Sequence, residues 1–202
     1  MGRMGGDEAG YVARARGGDA EAFRVLVEEH SARLFRLAYR IAGNEQDAED
    51  IVQETFIKAH RNLARYDDRA AFGAWLSRIA SNQALDVIRS RRRGPERLEP
   101  NDPDAPDPVD MLSETGAGPE RQLLSVEVNR RVKNALSRLT PNERAAFVLR
   151  HHEEHSVAEI GAMLRLSENA TKQAIFRAVR KMREALRPLA AQSRPGRTVR
   201  ES

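Results

Sequence analysis

From residue 19 onward, apolar side chains recur at three- and four-residue steps, the spacing that gathers them on one face of an α-helix. Asp19 stands where a cap belongs, and Phe23, Leu26, Val27, Leu34, Leu37 and Ile41 continue the stripe until Gly43-Asn44 interrupts it. A second helix carries Ala48, Ile51, Val52, Phe56, Ala59 and Leu63 inward and ends near Tyr66-Asp67-Asp68. A third runs from about Ala71 to Arg93, with Phe72, Trp75, Leu76, Ile79 and Ile88 as its apolar stripe. Residues 19–93 therefore predict one helical domain, preceded by an N-terminal extension over 1–18.

Between residues 94 and 118 the pattern stops. Pro95, Pro100, Pro103, Pro106 and Pro108 forbid a continuous helix, and seven acids against Arg97 give this stretch a net charge of −6. It reads as a disordered, acidic, extended linker with little to bury. Helical periodicity returns with Leu124, Val128, Val132, Ala135 and Leu139. Two capping boxes follow, Thr140-Pro141-Asn142-Glu143 with Pro at the first helical position and Ser156-Val157-Ala158-Glu159. After Arg165-Leu166, Ser167 is placed to cap a last basic helix that runs to about Arg187. Two short helices, a turn and a basic helix are the layout of a helix-turn-helix, so residues 119–188 predict a second domain and 189–202 a flexible tail.

Composition narrows the class without changing this picture. In 202 residues, 40% are hydrophobic and 5% aromatic, which suits small helical domains better than a thick sheet core; the expected fold class is all-α, two small helical domains joined by a flexible acidic linker. The net charge is only +4, and all basic residues except Lys58, Lys133, Lys172 and Lys181 are Arg, so Arg abundance alone says nothing about DNA. The absence of cysteine excludes disulfides, thiolate metal sites and thiol nucleophiles. No stretch has the length and apolarity of a membrane span or signal peptide, so a cytoplasmic protein with no membrane insertion is expected.

Three polar surfaces and one motif are candidates for chemistry. On the second helix Asp47, Asp50 and Glu54 share a face, flanked by Glu49 and Gln53; this is either an ordinary solvated face or a docking surface for a basic partner helix. On the third helix Arg78, Asn82, Asp86 and Arg89 form a stripe suited to phosphates and unstacked bases. On the last helix Lys172, Gln173, Phe176, Arg177 and Arg180 lie on the sides or outside, offering cations for phosphates and an amide or guanidinium for base edges. His151-His152-Glu153-Glu154-His155 matches the H-x-x-E-H pattern of some zinc proteases, but it abuts the Ser156 cap in a connection between short helices. No metal, cofactor or catalytic residue is expected.

These residues resemble the extracytoplasmic-function (ECF) group of bacterial RNA polymerase sigma factors over about residues 19–188. The run from Asp47 to Phe56, DAEDIVQETF, is similar to the family's core-binding segment in region two. By this resemblance Asp47, Asp50, Ile51, Gln53 and Glu54 are the expected polymerase contacts. FGAWLSRIASN, from Phe72 to Asn82, with Asp86 and Arg89 beyond it, is similar to the segment that melts and reads the minus-ten element. Leu139-Thr140-Pro141 through Arg183 match region four, which implies a minus-thirty-five reader in the last helix. The implied partners are core RNA polymerase through its clamp helices and flap, promoter DNA and an anti-sigma protein. Where the family often has Gly in the helix-turn-helix turn this chain has Arg165, which must adopt or avoid a left-handed conformation.

Two other classes are open to test. A response regulator or repressor with a similar helix-turn-helix would need alternating strands and helices in its N-terminal half. A zinc hydrolase would need His151, Glu154 and His155 to converge on a metal.

Overall fold

The structure, a computed structural model, describes residues 5–68, 71–93 and 130–192, with the side chains of 5–7, 92–93 and 188–192 excepted. It is all-α: no strand occurs among the described residues, as a receiver domain would require. The linker 94–118 lies outside the described residues, as do Arg69 and Ala70 in the loop before the third expected helix.

The first unit begins earlier than the hydrophobic pattern indicates. The extension expected over 1–18 contains helix α1 (Gly5–Arg16), which packs on α2 through the buried side chains of Val12 and Ala15. Gly18, at φ 94°, turns the chain into the Asp19 cap of α2 (Ala20–Ala42). The Asp19 carboxylate accepts from the Glu21 and Ala22 amides at 3.0 and 3.1 Å and is paired with Arg14, satisfying donors that the first helical turn leaves unpartnered. Leu26, Leu34, Leu37 and Ile41 of α2 are fully buried, each contributing about 1.5–3 kcal/mol relative to exposure. Gly43, at φ 94°, ends α2 with its amide donating to the Tyr39 carbonyl. Helix α3 (Glu45–Asn62) follows, capped by Asn44, then a 3-10 turn (Leu63–Arg65) and α4 (Phe72–Arg93).

The second unit opens with a helical segment α5 (130–137), continues through α6 (Pro141–His151) and α7 (Val157–Leu164), and closes with α8 (Glu168–Gln192), which extends past the expected boundary at 188. Both capping boxes form: the Thr140 and Ser156 hydroxyls accept from the Glu143 and Glu159 amides, and each Glu carboxylate accepts from the cap residue's own amide. Arg165 does adopt the left-handed conformation, at φ 55° and ψ 44°. Gly161 lies close beneath it, where a Cβ would stand 3.1 Å from the Leu166 carbonyl and 3.2 Å from Thr171 Oγ1. The side-chain-free position at Gly161 lets α8 cross α7 closely.

The two units share a core. Ala145, Ala146, Val148 and Leu149 of α6, Ile160, Met163 and Leu164 of α7 and Ala174 of α8 belong to one buried cluster with the apolar faces of α2, α3 and α4. Helices α6 and α7 pack on α4, and α6 also on α2. A smaller cluster joins Ala135, Leu136 and Leu139 to Ala178 and Met182 of α8.

Candidate nucleic-acid interface

On α3, Asp50 and Gln53 are exposed and Glu54 is half-buried, 3.6 Å from Lys58. Lys58 also donates to Gln83 on α4, so the acidic face is braced against the neighbouring helix. Asp47 and Ile51, expected on the same surface, are not on it. Asp47 sits in the first turn of α3, where its amide and carboxylate both bond the Asn44 side chain at 2.8 Å and Arg91 of α4 reaches Oδ1 at 2.7 Å. Its charge is held at a helix N-terminus, where it is favourable, and is turned away from solvent. Ile51 is fully buried, because one residue after Asp50 is about 100° further around the helix. The face gains instead Ile57, 36% exposed, which shares the i, i+3, i+4, i+7 row with Asp50, Gln53 and Glu54. Its position seven residues after Asp50 was the available sequence signal.

On α4 the expected stripe is present. Arg78, Asp86 and Arg89 are exposed and Asn82 is half-buried, its Nδ2 donating to the Arg78 carbonyl at 3.0 Å. Arg89 lies 3.7 Å from Asp86 and donates through Nη2 to Asn142 of α6 at 3.2 Å. Trp75 is half-buried against Tyr66 and Phe72, with centroid separations of 5.0 and 5.6 Å, and supports the loop that enters α4. Arg16 of α1 holds the other side of that loop. Its guanidinium donates to the Tyr66 carbonyl at 3.0 Å and to both Asp68 oxygens, the bond to Asp68 raising its already high pKa.

On α8 the buried positions are Thr171, Ala174, Ala178 and Met182, which turn Lys172, Gln173, Phe176, Arg177 and Arg180 outward. Phe176 is 68% exposed, and a shallow hollow of about 370 Å³ is lined by Lys172, Gln173, Phe176 and Arg177. Four side chains of mixed cationic, amide and aromatic character thus converge on one face of the second helix of a helix-turn-helix. Arg177 and Lys181 also approach the buried carboxylate of Glu143, at 3.4 and 2.7 Å. Burial raises the pKa of that carboxylate, but its bonds to Lys181 and Thr140 outweigh burial and hold it below the ordinary value.

Comparison with known proteins decides the family. The model described as Sigma-70 region 2 matches residues 26–94, and the one described as Sigma-70, region 4 matches residues 135–184. The ECF RNA polymerase sigma factor SigW of Bacillus subtilis is 31% identical over 181 residues, spanning 88% of this chain and 96% of SigW. The chain belongs to the ECF group of RNA polymerase sigma factors. RNA polymerase sigma-H factor of Pseudomonas aeruginosa is 32% identical over 179 residues, 88% of this chain and 93% of its own length. Among solved structures, CnrH in complex with the cytosolic domain of CnrY superposes with a TM-score of 0.59 at 29% identity, covering 91% of this chain and 97% of CnrH.

As an ECF sigma factor the chain is a transcription initiation factor, with region two in the first helical unit and region four in the second. Contacts between the regions are polar as well as apolar. Arg144 of α6, partly buried, donates through Nε to the Arg40 carbonyl at 2.6 Å, and burial pushes its pKa down to about 10. Arg33 of α2 donates through Nε to buried Glu153 at 3.0 Å. Sequence patterning did not single out Arg144, Arg33, Glu153, Asn142 or Arg16, because each acts through a partner more than 45 residues away. His151 and His155 do not form a metal site with Glu154: His151 lies on the Phe147 ring at 4.7 Å, His155 is buried, and Glu154 occupies a left-handed turn at φ 57°. Among the described residues no cluster of three or more His, Asp or Glu side chains is placed to hold a metal, and no helix is long and apolar enough to cross a membrane.

Proposed function

We propose that this sigma factor divides its work among three faces. The α3 face of Asp50, Gln53, Glu54 and Ile57 docks on the clamp helices of core RNA polymerase, with an apolar side chain seated among carboxylates that meet a basic surface. The α4 stripe of Arg78, Asn82, Asp86 and Arg89, with the loop from Tyr66 held by Arg16, receives the unpaired minus-ten strand. The α8 face of Lys172, Gln173, Phe176, Arg177 and Arg180 enters the major groove of the minus-thirty-five element, and region four also contacts the polymerase flap. In this reading the chain is not an enzyme, works in the cytoplasm and uses no cofactor. An anti-sigma protein is part of the same reading, since the related CnrH was solved with a protein partner, the cytosolic domain of CnrY.

The observation that carries this reading is the outward placement of all five expected α8 residues, in a region that matches the sigma region-four model. Transcription from genomic promoter fragments by purified core polymerase, with and without the chain, tests it. Starts that require the chain and disappear when Gln173 and Arg177 are both changed to Ala are expected. Chain-dependent starts that survive that double change would remove α8 from promoter reading.

A further inference from the structure

We infer that Glu143 is a positioning residue for the minus-thirty-five reader, restraining Arg177 and Lys181 so that α8 discriminates between sequences instead of gathering phosphates from any duplex. The inference rests on the proposed role of α8. Glu143 occupies the third position of α6, where its Oε2 accepts from the Thr140 amide at 3.0 Å and from Lys181 Nζ at 2.7 Å. Oε1 faces Arg177 Nε at 3.4 Å. The carboxylate is buried, whereas Arg177 remains half-exposed beside Lys172, Gln173 and Phe176. One fixed anion therefore reaches from α6, the helix that precedes the helix-turn-helix pair α7 and α8, into the cationic face of α8, and two adjacent cations share it.

The physical consequence follows from how sequence-independent binding arises. Each cation that neutralises a phosphate releases a counterion and adds about 0.9 to the slope of log affinity against log salt. A cation committed to a buried carboxylate is a poorer phosphate ligand. A guanidinium drawn toward a fixed, buried carboxylate has a restricted range of orientations, which favours a directional bond to a base edge over a mobile phosphate contact. Glu143 thus suppresses the unspecific component and orders the specific one.

The capping box supplies a clean variant, because Gln serves at the third helical position as Glu does. Glu143→Gln keeps the Thr140 cap and removes the charge. Full-length chain bound to core polymerase is titrated with two duplexes: the minus-thirty-five sequence that wild-type holoenzyme selects from a randomised library, and a scrambled version of it. Differences between variant and wild type cancel the polymerase's own DNA contacts. Glu143→Gln is expected to bind the scrambled duplex about 3–10-fold more tightly at low salt, with a salt slope steeper by about 1, and to lose at least about fivefold of the selected-to-scrambled ratio. Lys181→Met, which leaves Arg177 on Glu143, should change the slope by clearly less than about 1, because Lys181 is already committed to Glu143, and should keep the ratio; this second variant decides the matter if Glu143→Gln does not fold. The inference is overturned if Glu143→Gln leaves slope and ratio unchanged, or if Lys181→Met collapses the ratio. Arg177→Ala separates the levels: a lowered ratio there with an unaffected Glu143→Gln removes only the restraint, whereas an unchanged ratio in Arg177→Ala removes α8 as the reader.

Discussion

Arg144 Nε donates to the carbonyl of Arg40 at 2.6 Å, so a region-four helix sets a guanidinium against the C-terminal turn of region-two helix α2. The contact is tight: a Cβ on Gly43 would lie 2.9 Å from Arg144 Nη1. Exposed carbonyls at a helix end favour a cation, and that attraction offsets part of the cost of burying it. Together with Arg33–Glu153, Arg89–Asn142 and the shared apolar cluster, it holds the two regions in one body. Elements centred roughly 25 base pairs apart on a promoter are separated by about 85 Å at 3.4 Å per pair. Helix α2, with 23 residues, is only about 35 Å long, so on the proposed division of faces the closed body has to open to engage both.

Opening is measurable because the chain has no cysteine to remove. With dyes on cysteines introduced at exposed Glu49 and Glu184, energy transfer should fall when wild-type chain binds core polymerase. Arg144→Ala should lower transfer in the free chain, since losing a charge-assisted hydrogen bond costs about 1.5–3 kcal/mol and leaves a cavity as well. Transfer that stays constant in both cases would show that Arg144 does not hold the regions together.

Charge reversal at Asp50 should weaken core binding by about 2–5 kcal/mol without loss of helicity, because Asp50 is exposed on α3 and contributes nothing to its core. Ile57→Ser should weaken it by about 1 kcal/mol or more. The same reversal at Asp47 should lower the melting temperature first, as its carboxylate is buried between Asn44 and Arg91. Equal core affinity for wild type and Asp50→Arg would dissociate this face from the polymerase.

Acid should selectively weaken the start of α6. The Glu143 carboxylate has a folded pKa below its ordinary value, so its stabilising contribution is complete above the unfolded pKa of about 4.5 and is lost as pH falls through the lowered folded value. The difference in melting temperature between wild type and Glu143→Gln should therefore be constant above about pH 5.5 and shrink towards pH 3. A difference that does not vary over this range would mean that the ionised carboxylate is not the source of the stabilisation.

Arg165→Gly should stabilise region four by about 1 kcal/mol, since a left-handed backbone costs an L-residue roughly 1–2 kcal/mol and glycine's greater unfolded-state entropy returns part of that. For a chain of this size the melting temperature would rise by about 2–4 °C. A lower melting temperature would show that the Arg165 side chain makes a compensating contact.

Much of this fold was readable because its signals are local. The Thr140 and Ser156 capping boxes need only four consecutive residues each, and both formed where their spacing placed them. The α8 face followed from a stripe whose period is fixed by helix geometry, and all five outward residues were identified. Helix α1 was missed because its apolar side chains are sparse and Gly10 interrupts them; Val12 and Ala15 are defined as core only by contact with α2. Ile51 was assigned to the polymerase face by resemblance to a contiguous segment, yet a helix distributes neighbouring residues around its whole circumference; Asp47 has the right spacing from Asp50, but Arg91 of α4 covers it, which no local pattern announces. The shared core was not readable at all, since the faces it joins are separated by the linker and neither announces its partner.

That shared core also imposes an order on biosynthesis. A ribosome adding about 5–20 residues per second needs roughly 4–14 s to proceed from the end of α4 at Arg93 to the end of α7 at Leu164. Region two is complete in sequence throughout that interval, but the apolar seat that α2 and α4 offer to α6 and α7 has nothing to cover it. The nascent chain thus presents a helix-binding groove before its own occupant has been translated.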